Sequence, residues 1–231
     1  PALEEWQVLV AVLAVATMVI GNTVAIVQSN IKRMLAYSSV GQVGFLLVGV
    51  AALGYVEDGA VIPVTLASDA VMLHLIGYAF ANLAAFATVI AVYNHIGTDE
   101  LSGYEGLAKR SPYLSMVMAV ALFSLAGLPF FVGFLTKFYL FTAAAEAGLL
   151  WLAGVAMAAS VVSLYYYLMV IKRMFVDDVA ESDTIPVAVS LPSLSWLLLG
   201  ALLVGTILLG VYPQPVADVV EAASGAILPG A

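Results

Sequence analysis

The sequence contains no cysteine. Disulfides, thiolate metal sites and iron–sulfur clusters are therefore excluded within this chain. Histidine is almost as scarce: the two present, His74 and His95, lie 21 residues apart, which matches no recognised metal-ligand spacing. No glycine-rich dinucleotide fingerprint and no haem or cluster ligand set is visible, so no redox chemistry is read in this chain. Charge is sparse too, with Asp, Glu, Lys and Arg together making up 10 % of the residues. What remains is apolar: 64 % of the 231 residues are hydrophobic. A soluble chain of that length could not hide so much apolar surface, and the class is an all-α polytopic membrane protein. The net charge of −8 arises in acidic loops, which argues against nucleic acid or an anionic lipid surface as partner. The chain opens Pro1-Ala2-Leu3, with neither an initiator Met nor a signal-peptide pattern, as a fragment or a chain lacking its first part would.

About 20 apolar residues cross a ~30 Å hydrocarbon core. On that length the sequence predicts six transmembrane helices, at 5–28, 32–54, 64–95, 112–146, 149–175 and 189–211. The third is long enough to be irregular or tilted. The fourth is broken near Gly127 and Pro129, because Gly-x-Pro interrupts a helix. Pro112 and Pro192 suit helix starts, where a missing N–H costs little. Tyr212-Pro213-Gln214-Pro215 stops the sixth helix, and 216–228 reads as a short amphipathic interfacial helix.

Basic residues then set the orientation. Lys32 and Arg33, Lys109 and Arg110, and Lys172 and Arg173 form three pairs, and six alternating spans put all three on one side. The opposite side carries Glu4, Glu5, Glu57, Asp58, Glu146, Asp218 and Glu221 and no Lys or Arg. By the positive-inside rule the basic side is cytoplasmic, with the loops 96–111 and 176–188 inside and both ends of the chain outside.

Polar residues recur at helical spacing within the spans. His74, Tyr78 and Asn82 stand at i, i+4 and i+8 of the third helix. Lys32, Ser39 and Gln42 share one face of the second, and Ser160, Ser163 and Tyr167 one face of the fifth. Thr17, Gly21, Ala25 and Gln28 in the first are small or polar, suited to close helix packing. For a single Ser, Asn or Tyr the commoner use of such positions is interhelical hydrogen bonding. Two readings stand side by side for His74, a hydrogen-bonded packing residue or a protonatable relay. Two stand for Lys32 as well, near the start of its helix: a functional base, or a side chain that snorkels to the cytoplasmic surface.

Lys137 is the only basic residue between Ser111 and Leu149. It lies about ten residues, or ~15 Å, from the outer end of its helix, roughly half the hydrocarbon thickness. Snorkelling over that distance is difficult. An ammonium inside a membrane faces a polar cavity or a partner and marks ion or proton movement. Desolvation favours the neutral form of an amine, so a buried lysine can release and regain a proton.

At these residues the sequence resembles a known family. Asn30-Ile31-Lys32-Arg33-Met34-Leu35-Ala36-Tyr37-Ser38-Ser39-Val40-Gly41-Gln42-Val43-Gly44-Phe45 is similar to the NIKRLLAYSSIAHxGY signature of the antiporter-like membrane subunits of respiratory complex I. Ser124-Leu125-Ala126-Gly127-Leu128-Pro129 and Gly133-Phe134-Leu135-Thr136-Lys137-Phe138-Tyr139 resemble that family's broken helix. Ser163-Leu164-Tyr165-Tyr166-Tyr167-Leu168 and Gly210-Val211-Tyr212-Pro213-Gln214-Pro215 point to its subunit N branch. The family has fourteen helices in two inverted five-helix repeats, and this chain resembles the last six. Residues 1–175 would be the second repeat, and 176–231 a cytoplasmic loop, the final helix and a tail, all in one transmembrane domain. The first repeat, with its own lysine pair and glutamate, has no counterpart here.

The resemblance implies that Lys137 is the proton carrier near the outlet and that Lys32 takes the position of the family's second-helix base. Two departures stand out. Gln42 occupies a position where relatives often have His, and His74 one where they commonly have Tyr or an aliphatic residue, as if a relay histidine had moved between helices. A glutamate in place of Lys137 would mark a sister subunit. The resemblance further implies a bacterial inner membrane, neighbouring membrane-arm subunits, and NADH, FMN, iron–sulfur clusters and quinone held by partner subunits, with no cofactor or metal in this chain. Competing readings are a subunit of a multisubunit cation/proton antiporter, which shares the fold and the broken-helix lysine, and a structural scaffold in the membrane arm.

Overall fold

The computed structural model describes residues 2–58, 60–178 and 192–227. In chain order these form α1 (Ala2–Ile26), α2 (Ile31–Ala51), β1 (Gly54–Glu57), β2 (Ala60–Pro63), α3 (Thr65–Ile96), α4 (Leu107–Arg110), α5 (Pro112–Ala126), α6 (Val132–Glu146), α7 (Leu150–Phe175), α8 (Ser193–Val211) and α9 (Gln214–Ile227). Five of these helices, α1, α2, α3, α7 and α8, are long and apolar enough to cross a membrane. Where one broken helix is expected over 112–146, the chain forms two helices of 15 residues each, α5 and α6, with residues 127–131 non-helical between them. The first residues expected for the sixth helix, 189–191, and most of the expected loop 176–188 lie outside the described residues.

Local chemistry explains the boundaries. Asn30 caps α2 by accepting a 3.0 Å hydrogen bond from the Arg33 amide, which satisfies one of the free donors of the first turn. Pro112 opens α5, where its missing N–H costs nothing. Gly127 closes α5 in the left-handed region at φ 83°, which glycine adopts without strain. Of the two expectations for the third helix, irregularity is not seen: α3 is helical throughout its 32 residues, ~48 Å at 1.5 Å per residue.

Two features escaped the sequence reading. Between α2 and α3 the chain forms an antiparallel hairpin, Gly54 to Pro63 in register, where a plain loop is expected. Asp58 lies at its tip with φ 50°, and Asp-Gly flanked by Val, Ile and Tyr is a strong two-residue hairpin signal. In the 97–111 segment a 3-10 turn, Leu101–Tyr104, and the short α4 appear.

That segment ties one end of the molecule together. Ile31 N donates to Asp99 O at 2.8 Å, Leu101 N to Ser29 O at 2.7 Å, and Gly106 N to Arg173 O at 3.1 Å. Lys32 pairs with Asp99 and Arg173 with Glu105, each at 2.8 Å, while Lys109 meets Asp178 and Lys172 meets Asp177. All three basic pairs therefore gather at one end of the bundle. Tyr104 plugs the segment fully buried, and burial, with Asp99 nearby, pushes its phenol well above the usual range. At the opposite end Gln7 donates to Ala51 O and Gly54 O, and α9 docks on α3 by a Ser224–Asp69 hydrogen bond, its inner face formed by Val216, Val220 and Ser224.

Between those ends the helices pack closely through small residues. A Cβ on Gly21 would come within 2.5 Å of Gly41 N and 2.8 Å of Tyr37 O, so α1 and α2 touch backbone to backbone. The buried residues form two clusters. One runs from the basic end through Leu107, Leu114 and Tyr167. The other, toward the hairpin, holds Phe45, Ala67 and Leu140. Lys137 is buried where they approach.

Candidate functional site

The site starts from an accounting of backbone carbonyls. A helix leaves its last four C=O groups without intrahelical partners. At the end of α5, Gly127 N bonds to Phe123 O and Ser124 O at 3.1 and 2.9 Å, and Leu128 N bonds to Phe123 O at 3.0 Å. The carbonyls of Leu125 and Ala126 remain for side chains. Lys137 Nζ donates to Leu125 O at 2.8 Å and to Ala126 O at 3.4 Å. Gln42 Nε2 reaches the same Leu125 O at 3.0 Å, and Ser160 Oγ donates to Ala126 O at 3.0 Å. Lys137 also donates to Ser160 Oγ at 3.0 Å. The C-terminal end of a helix carries partial negative charge, so α5 aims its dipole at the ammonium. Phe45 completes the cage, its ring centroid 4.3 Å from Nζ, close enough for a cation–π contact. Lys137 is 3 % exposed, and among the described residues it makes no ion pair. A desolvated ammonium held by carbonyls, a hydroxyl and a ring, without a carboxylate, can lose its proton without leaving a buried anion behind.

The break gives Lys137 its position. Gly133 N, in the first turn of α6, donates to Ser124 Oγ at 3.1 Å, and a Cβ on Gly133 would collide with the Ser124 carbonyl. Glycine is required there for α6 to start so close to the end of α5. Between them, Phe131 N closes a turn onto Leu128 O at 3.4 Å, with Pro129 at its second position and Phe130 at its third with φ 74°. That is the pattern of a type II turn, in which the third position favours glycine. Pro129 is thus a turn former as well as a helix breaker, and Phe130 holds a conformation costly for a bulky residue, on the order of 1–3 kcal/mol.

His74, on α3, lies beside this arrangement. Its Nδ1 is 2.9 Å from the hydroxyl of Thr136, the residue before Lys137, and Nε2 is buried without a hydrogen-bond partner. Its ring packs edge-on against Phe45 at 6.4 Å. Phe45 therefore touches both Lys137 and His74.

The other expected residues divide. Gln42 joins Lys137 directly, and Gly127 borders it, since a Cβ there would approach Lys137 Cδ to 3.1 Å. Ser39 does not join: its hydroxyl turns back to Leu35 O of its own helix at 2.9 Å. The buried side chains of α2 include Ser38, Gln42 and Phe45, and Ser38 meets Tyr167 of α7. Tyr78 packs at the edge of the basic-end cluster, and Asn82 is half-buried; neither makes a side-chain hydrogen bond among the described residues. Lys32 is separated from Gln42 by ten positions, ~15 Å along α2, and its ammonium pairs with Asp99 and lies over the Tyr93 ring at 4.1 Å. Thr136, Ser124 and Phe45 were missed from sequence. Ser160 was visible by spacing, without its link to Lys137. A buried Tyr166–Asn22 hydrogen bond of 3.0 Å, joining α7 to α1, was not foreseen either. Among the described residues no group of His, Asp and Glu is placed to hold a metal ion.

Known proteins resemble this chain in sequence and in fold. A protein of Heliobacterium modesticaldum named NADH-quinone oxidoreductase subunit N is 43 % identical over 225 residues, covering 95 % of this chain and 44 % of its own length. The corresponding protein of Desulforamulus reducens is 42 % identical, again with 44 % of its length covered. The chain thus spans less than half the length of these curated relatives. Among solved structures, a chain of the membrane-bound sulfane sulfur reductase, an archaeal respiratory membrane complex, superimposes with a TM-score of 0.82 at 28 % identity, over 97 % of this chain and 43 % of its own. A chain of respiratory complex I from Thermus thermophilus has the same fold, with a TM-score of 0.82 at 22 % identity over 97 % of this chain and 44 % of its own. The profile of the family described as "NADH:quinone oxidoreductase/Mrp antiporter, TM" matches residues 1–163, and this chain belongs to that family.

Proposed function

We propose that this chain is part of a proton-translocating membrane-arm subunit, of the subunit N type, in an NADH:quinone oxidoreductase. Lys137 is its proton carrier. The observation that carries this reading is the buried ammonium held at the carbonyl end of α5 with no carboxylate beside it. Similarity to subunit N relatives supports the choice of complex.

In this reading α5 and α6 together make one discontinuous span, so six spans cross the membrane and the chain corresponds to the second inverted repeat plus the final helix. The clustered basic pairs mark the cytoplasmic end, and the hairpin and α9 mark the outer end. The complex is a multi-pass assembly of a bacterial inner membrane. Electron transfer belongs to partner subunits, which hold NADH, FMN, iron–sulfur clusters and quinone; this chain does no redox step. When the driving signal arrives, Lys137 gives up its proton toward the outer side. The Leu125 and Ala126 carbonyls, Ser160 and the Phe45 face then favour its reprotonation from the cytoplasmic side. His74, tied to Thr136, and Lys32, paired with Asp99 at the cytoplasmic end, are the groups through which a proton would be supplied, with Gln42 holding the Leu125 carbonyl in place. The antiporter reading keeps the same Lys137 chemistry and exchanges the partners.

The test is proton pumping by sealed vesicles containing the complex with Lys137→Ala or Lys137→Arg, with assembly checked on native gels. Both should assemble and lose nearly all pumping, because a guanidinium keeps its proton at any physiological pH. Near-normal pumping by the Arg variant would reduce Lys137 to a structural charge and sink the carrier role.

A further inference from the structure

The end of α8 bears on the break between α5 and α6. A Cβ on Gly210 would come within 2.5 Å of Phe130 O, 2.5 Å of Phe131 C and 2.6 Å of Val132 N. Those are backbone atoms of the turn and of the first residue of α6, which cannot swing aside as a side chain can. They include the residue held at φ 74°. The other end of α8 is fixed to the start of α5, where Tyr113 stacks on Trp196 at 3.8 Å and donates to Trp196 O at 2.8 Å. One helix thus grips α5 at its beginning and the break at its end. Lys137 lies five residues beyond Val132 on α6, and its carbonyl partners are the last two residues of α5. Any shift of the turn changes the distance between them.

We propose that α8 is a strut that sets the geometry of the α5–α6 break, and that Gly210 is the positioning residue through which it aligns the Lys137 ammonium with the Leu125 and Ala126 carbonyls. This rests on Lys137 being the proton carrier. Gly210 touches no proton itself; it keeps the turn between α5 and α6 in register, so its loss uncouples pumping from electron transfer rather than stopping electron transfer.

The experiment compares Gly210→Ala with Gly205→Ala and Gly154→Ala in the assembled complex in sealed vesicles, measuring electron transfer and protons pumped per electron. The three atoms nearest a Cβ on Gly205 all belong to the Phe80 side chain, which can move, and a Cβ on Gly154 meets nothing within 4 Å. Gly210→Ala should lower the protons pumped per electron severalfold, because misplacing positioned reacting groups by ~1 Å can cost up to about 10²-fold. The two controls should stay at wild type. Adding Phe130→Gly, which frees the turn to readjust, should restore most of the loss. Where Gly210→Ala fails to assemble, recovery of assembly and pumping by Phe130→Gly supports the strut, and no recovery overturns it. A wild-type ratio for Gly210→Ala, or an equal loss in Gly205→Ala, also overturns it. Lys137→Ala separates the two claims: if it abolishes pumping while Gly210→Ala does not, only the strut fails, whereas normal pumping by Lys137→Ala removes the carrier reading itself.

Discussion

Gln42 and Lys137, from different helices, converge on one acceptor: their side-chain nitrogens lie 3.0 and 2.8 Å from the carbonyl oxygen of Leu125. A carbonyl has two lone pairs and accepts both bonds. When Lys137 turns away or becomes neutral, Gln42 still satisfies the buried oxygen, which would otherwise be costly to leave unpaired.

The first prediction follows from that sharing. Gln42→Leu removes the second donor and leaves Leu125 O dependent on Lys137 alone. A hydrogen bond of this kind contributes about 0.5–1.5 kcal/mol, so pumping should fall roughly two- to tenfold, with the complex still assembled. Gln42→His, which keeps a donor, should lose less. Equal and complete loss in both would show that the amide acts through packing.

Much of this was legible in the chain, and the reasons for what was not are physical. Lys137 stands out because a lone ammonium inside an apolar run has few explanations. The gathering of the basic pairs followed from alternating spans, because charge bias is read along the chain without knowing any contact. The rotation of α2 could not be read, because period alone does not choose between Ser38 and Ser39; the position of Tyr167 on α7 decides it. The carbonyls of Leu125 and Ala126 carry no side-chain signature at all. They become donor-hungry only because α5 ends there, and that depends on Gly127. The hairpin was legible in Asp58 and its β-branched flanks, a local signal outweighed by the apolar runs on either side.

Orientation gives the second prediction. The sequence has no cysteine, so single-cysteine reporters are free of background. Ser102 is exposed at the basic end and Asp58 at the hairpin tip. In intact cells, Asp58→Cys should react with a membrane-impermeant thiol reagent, and Ser102→Cys should react only after the membrane is opened. Labelling of Ser102→Cys from outside would invert the topology.

Gly127 supplies the third. Its φ of 83° suits glycine, and an added Cβ would crowd Lys137 Cδ at 3.1 Å and Ser160 Oγ at 3.5 Å. Gly127→Ala should therefore destabilise the chain by about 1 kcal/mol through backbone strain. Pumping should drop by more than that loss explains, because the crowding falls on the ammonium and its hydroxyl partner. Thermal unfolding and vesicle pumping measured on the same preparation separate the two effects. A drop in stability with pumping unchanged would confine Gly127 to helix capping.

Phe45 tests the cage most directly, since its ring is buried, 4.3 Å from the Lys137 ammonium and edge-on to His74. A cation over a desolvated ring gains about 2 kcal/mol, and an aliphatic side chain offers none of it. Phe45→Leu keeps most of the packing volume and removes the ring face, so pumping should fall by roughly an order of magnitude while assembly is preserved. Phe45→Trp offers a stronger face but more volume, and its effect on packing confuses the comparison; Phe45→Tyr keeps the face at nearly constant size. The expected order of pumping is therefore Phe, then Tyr, then Leu. If Leu pumps as well as Phe, the ring serves only to fill space between α2 and α6, and the charge on Lys137 is stabilised by the Leu125 and Ala126 carbonyls and Ser160 alone.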